Sequence, residues 1–128
     1  MTQKHITFAD IQSYLEAIAN KAVNDIGNSP HDRFWNVTYQ EFINGVVPHT
    51  KCNGQTIPLI DNADPKNSAF YVILIDPNGW CNKREMPGGG PFITEVGYQV
   101  TLAGGKVITG LQIQEDIKFW LENGFPEN

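Results

Sequence analysis

The sequence predicts a mainly α-helical domain with one small β-hairpin, on two observations. Four stretches carry apolar residues at three- and four-residue steps, each behind a capping signal. Between the third and the fourth the period drops to two, over residues 96 to 108. With 128 residues, 41% hydrophobic and 18% charged, the span 1–128 reads as one domain whose single core buries roughly two-thirds of the unfolded surface.

The first helix is predicted from Phe8, Ile11, Leu15, Ile18, Ala22 and Ile26, which fall on one helical face. Thr7 and Asp10 form a capping pair at its start, and Gly27-Asn28-Ser29-Pro30 ends it. A second, short helix follows the capping box Thr38/Glu41, with Tyr39, Phe42, Ile43 and Val46 as its apolar side and Gly45 near its end. Asp64-Pro65 supplies an N-cap and a proline at the first helical position for the third helix, whose apolar face is Ala69, Phe70, Ile73 and Leu74. Thr109 and Gln112 open the fourth before Ile113, Ile117, Trp120 and Leu121, and Gly124 and Pro126 close it. In the hairpin, Val96, Tyr98, Val100 and Leu102 alternate with polar residues, and Ala103-Gly104-Gly105-Lys106 turns the chain into Val107 and Ile108. Residues 47 to 63 and 76 to 92 hold most of the prolines and are expected to be long irregular loops.

Composition excludes several classes of function. The net charge is -5 and the nine Lys and Arg residues are scattered, so no basic stripe meets a phosphate backbone and nucleic acid is not expected as a partner. No apolar run approaches the roughly 18 residues that cross a bilayer, and Met1 to Phe8 is too polar for a signal peptide. The sequence as it stands therefore reads as cytoplasmic, or as periplasmic if a signal peptide has been removed. Cys52 and Cys81 lack C-x-x-C spacing and the three His are dispersed, so no metal site is expected. The two cysteines make one disulfide in an oxidising compartment and two thiols in the cytosol.

Three runs carry a family resemblance: "DPKNSAFYVIL" at 64 to 74, "MPGGGPF" at 86 to 92 and "IQEDIKFWLENGFP" at 113 to 126. In this order they resemble small bacterial c-type cytochrome domains, including the planctomycete type. "FADIQSYLEAIANKAV" is similar to that family's opening helix, with the segment 96 to 108 as an insertion. The resemblance implies a cytochrome c-like bundle of about four helices with long loops, and makes Met86 the counterpart of the distal haem ligand. Laid on Asp10 and Gln12, it also places the attachment motif C-x-x-C-H at Ala19, Ala22 and Val23. None of these three side chains bonds haem or iron.

A covalent electron carrier is thus not expected, and no cofactor is. The resemblance implies a haem-free binding or interaction module, holding a small apolar ligand in the vacated cleft or presenting its loops to a protein partner. Val23, Phe34, Trp35, Tyr71 and Met86 are the expected filling and lining of that cleft, where a rigid void of full haem size would cost about as much as the whole stability of a typical domain. The alternative is an enzyme that has repurposed the cleft, with His31 and Asp32 as candidate catalytic groups. A haem held without covalent attachment, ligated by His31, is a third reading.

Overall fold

The computed structural model describes residues 5–21, 34–76, 78–79, 81, 91–102 and 104–128, with the backbone alone at 48–50. These residues form a mixed α/β domain of four α-helices and two separate two-stranded antiparallel sheets. The elements run α1 (Phe8–Lys21), α2 (Tyr39–Ile43), β1 (Val46–Cys52), β2 (Gln55–Pro58), α3 (Ala69–Ile75), β3 (Gln99–Thr101), β4 (Val107–Thr109) and α4 (Gly110–Glu122).

The caps of α1 and α2 form as the sequence indicates, whereas Asp64 makes no side-chain cap bond. The Thr7 N–H donates to Asp10 Oδ2 at 2.9 Å while the Asp10 N–H donates to Thr7 Oγ1 at 3.2 Å, satisfying two otherwise orphan donors of α1. Thr38 and Glu41 make the same reciprocal pair before α2. At α4 only half of the box forms. The Gln112 N–H donates to Thr109 Oγ1, but the Gln112 side chain turns inward to Asp116 instead of back to the cap. The far end closes on Gly124 at φ +87°, letting the Phe125 N–H reach the Trp120 carbonyl at 2.7 Å in a Schellman geometry.

Several expectations are corrected. The stretch 47 to 63 is not irregular: its first half is a hairpin, β1 against β2, turned by Asn53 and Gly54. Both residues have positive φ, +53° and +80°, as a type I′ turn demands. Val46, assigned above to the second helix, is the first residue of β1 and 44% exposed. The third helix is broken, because Pro65–Asn67 is a single 3-10 turn and the α-helix starts only at Ala69. Ser68 sits fully buried at the break, where its hydroxyl donates to the Pro65 carbonyl and accepts from the Asp61 N–H. That pair of bonds spends the side chain that would otherwise cap α3. The domain is accordingly mixed rather than mainly α.

The second hairpin is where the sequence places it, with Val100 opposite Ile108 and Tyr98, Val100 and Ile108 buried. Val96 stands outside the strand, fully exposed on the turn before it. A disulfide joins Cys52 to Cys81, whose Cα atoms are 5.9 Å apart. Twenty-nine positions separate the two cysteines, and closing a loop of that size contributes roughly 3 to 4 kcal/mol by restricting the unfolded chain.

One core holds the elements together. Trp120 is fully buried. It stacks on Phe8 at 6.3 Å and meets Phe42 and Phe125 edge-on, and its indole N–H donates to the Pro126 carbonyl at 2.8 Å. The Phe8 N–H donates to the Glu127 carbonyl and the Tyr39 hydroxyl to that of Phe125. The C-terminal segment is thereby bonded to the start of α1 and to α2. Among the described residues, no helix is long and apolar enough to cross a membrane.

Candidate functional site

The polar face of α1 borders a cleft. Gln12 reaches across to the segment before α2, where its side-chain amide donates to the carbonyls of Trp35 at 2.8 Å and Val37 at 3.1 Å. One turn on, Glu16 accepts the Trp35 indole N–H at 3.1 Å. Two side chains on one helical face thus fix both the backbone and the ring of Trp35. The ring is buried, and Phe34 packs edge-on against it at 5.1 Å while lying nearly parallel to Phe42.

Beside this junction lies a cleft of about 530 Å³, bounded by Ser13, Glu16 and Asn20 of α1, by Trp35 and Asn36, and by Thr101 and Leu102 at the end of β3. Its volume is within the range of small-molecule sites, roughly 300 to 1,000 Å³. Among the described residues, the lining mixes hydroxyl, amide and apolar groups with the carboxylate of Glu16. A second cleft of about 440 Å³ lies between the turn 93–98 and the start of α4, lined by Ile93, Val96, Tyr98, Leu111 and Gln114. Val96 and Leu111 expose their side chains there.

Tyr98 is 5% exposed and its hydroxyl has no hydrogen-bond partner among the described residues. Burial first, and the charge of Glu95 second, push its phenol up to about 12. The Lys21 ammonium sits 5.4 Å from the centre of its ring, within cation–π reach.

No family model, curated protein or solved structure matches this chain. The site is accordingly read from its own residues. Of those nominated from the sequence, Trp35 lines the cleft beside α1, and Phe34 packs against the Trp35 ring. Tyr71 lies elsewhere. It is buried between α3 and α4 with its hydroxyl donating to the Gln114 carbonyl at 3.0 Å, and burial raises its phenol's pKa. Val23, His31, Asp32 and Met86 lie outside the described residues. Ala19 is buried in α1. Among the described residues, no three His, Cys, Asp or Glu side chains converge to hold a metal ion.

Gln12 and Glu16 were not candidates on sequence grounds. The signal that locates them is a polar stripe, Gln12, Ser13, Glu16 and Asn20, on the face opposite Ile11, Leu15 and Ile18. Such a stripe ordinarily means solvent.

Proposed function

We infer that the chain is a haem-free binding module of the cytochrome c-like kind, which holds a small, largely apolar and uncharged ligand. The observation that carries this reading is the course of α1 through Ala19, a buried alanine where the resemblance puts the first attachment cysteine. The contacts of α1 with α4, through Phe8 on Trp120 and Tyr14 on Asp116, are consistent with that resemblance's bundle of helices. The ligand lies against the Phe34–Trp35 segment. The cleft beside it has the volume for a small molecule, and Trp35 and Leu102 form its apolar side. Beside Glu16, whose carboxylate accepts the indole N–H, the described lining offers amides and hydroxyls that can orient an uncharged molecule. The Cys52–Cys81 bond supports an oxidising compartment, such as the periplasm, as the place of action.

The test is to purify the protein from cells carrying a cytochrome maturation system, record its absorption spectrum, and identify bound molecules by mass spectrometry after denaturation. A colourless protein that releases a small neutral compound is expected. Ser13→Trp should fill the cleft and weaken rebinding by about ten-fold or more. A Soret band that survives denaturation overturns the haem-free reading, and unchanged affinity in the Ser13→Trp protein moves the ligand elsewhere. Turnover of a substrate that is lost on His31→Ala replaces binding by catalysis.

A further inference from the structure

The β1–β2 hairpin has little of its own to hold it. Its ladder pairs Val46 with Pro58, Lys51 with Thr56 and Cys52 with Gln55, and the register shifts between the first pair and the others. Two strands alone are marginal in water. Lys51 and all of Asn53 to Thr56 are exposed, and in β2 only Ile57 is buried. Ile57 lies apart from the main apolar cluster, which the hairpin meets only at its base, through Val47 at the start of β1 and through Leu59 and Ile60 just after β2. Among the described residues, the covalent tie from the tip to the rest of the molecule is the bond from Cys52, next to the turn, to Cys81.

We propose that the Cys52–Cys81 bond is a redox-operated clamp: a dithiol reductant opens it and releases the β1–β2 hairpin while the helical core stays folded. This goes beyond the binding reading and does not depend on it. Both cysteines are half-buried rather than enclosed, so a thiolate can reach a sulfur without global unfolding. In the exchange, one thiolate of the reductant attacks either sulfur and the other cysteine leaves as a thiolate, which takes up a proton. The second thiol of the reductant then displaces the first cysteine and closes its own disulfide. Two electrons pass from the reductant, and two cysteine thiols form.

Two features set the direction and the extent of the opening. Cys81 has φ +47°, in the left-handed region that a residue with a Cβ adopts at a cost, and the open form lets it leave that conformation. At the other end, the Leu59 N–H donates to the Gly45 carbonyl at 3.0 Å, and Leu59 and Ile60 are buried in the core. Release therefore stops at the base of the hairpin.

Hydrogen exchange resolved by mass spectrometry tests the clamp on the oxidised protein, on the protein reduced with dithiothreitol, and on the Cys52→Ser/Cys81→Ser double variant. The bond should be reduced in native buffer within minutes, and amides of residues 51–57 should exchange at least about ten-fold faster in both thiol-free and reduced forms. Amides of α1 and α4 should exchange as before. Resistance of the bond until the chain is denatured overturns the proposal. So does unchanged exchange in the hairpin, and so does loss of helical signal on reduction, which would make the bond a staple of the whole domain.

Discussion

The Tyr14 hydroxyl donates to Asp116 Oδ2 at 2.6 Å, joining the first helix to the last through the interior. Both residues are about 95% buried. The other oxygen of Asp116 accepts from the Gln112 amide at 2.8 Å, so the carboxyl is met from α1 on one side and from its own helix on the other. A buried acidic group is tolerable only when its lone pairs are met. The inward turn of Gln112, which costs α4 half of its capping box, is the local concession that meets one of them.

Tyr14→Phe removes a donor from that carboxyl while keeping the ring. It is expected to cost about 1.5 to 3 kcal/mol, the range for a hydrogen bond to a charged group. In Asp116→Asn, the same Tyr14→Phe change should cost less. A double-mutant cycle in urea measures the difference, and additive effects would show that the two side chains do not couple.

Trp120→Ala removes the ring at the centre of the aromatic cluster and the donor to Pro126. About 3 to 5 kcal/mol of stability should go with it. Equilibrium unfolding reads the loss directly. A cost under about 1 kcal/mol would contradict the burial of the ring.

Three of the four helix starts were legible because caps are local: Thr7/Asp10, Thr38/Glu41 and Thr109/Gln112 each operate within three residues. The second hairpin was legible by alternation and its two glycines. The first was hidden, although Asn53-Gly54 is the strongest short hairpin signal known, because its strands carry Pro at 48 and 58 and too little alternation to read as strands. The break at Ser68 depends on a bond from Asp61, which no local pattern foretells. The surroundings of Trp35 depend on polar residues that the sequence does not single out. Trp35 was nominated as a large aromatic, but Gln12 and Glu16 act on it from another element, and a polar helical face does not announce what it will touch. Tyr71, nominated with Trp35 for the same bulk, went to the α3–α4 interface because its hydroxyl finds the Gln114 carbonyl there.

Gly110 opens α4 in close contact with the chain at Ile93. A Cβ there would lie 2.1 Å from the Ile93 carbonyl oxygen, and backbone on both sides leaves no flexible group to move. Gly110→Ala should destabilise the domain by about 3 kcal/mol, at the upper end of overpacking costs. Alanine is otherwise the better helix former by about 1 kcal/mol, so a neutral or stabilising result in thermal melts would show that the two segments are further apart.

Three tyrosines give the domain a defined alkaline limit. Burial raises the pKa of Tyr14, Tyr71 and Tyr98, helped at Tyr14 by its bond to Asp116 and by the charges of Asp116 and Asp10, at Tyr71 by Glu122 and at Tyr98 by Glu95. In the fold these phenols keep their protons where the unfolded chain, with its ordinary value of 10.0, releases them. Above that pH the native state binds more protons than the unfolded state, so stability falls as pH rises. The stabilisation is complete below pH 10 and is lost through the folded values, about 12 for Tyr98. A jump to a pH between these limits should therefore give a slow rise in phenolate absorbance from these three residues, at the rate at which helical circular dichroism is lost. Tyr98→Phe should shift the alkaline midpoint upward, because it removes a buried hydroxyl that has no partner as well as the proton it would lose. Phenolate absorbance from all three that appears within the mixing time, before any loss of helix, would show that their hydroxyls are open to solvent.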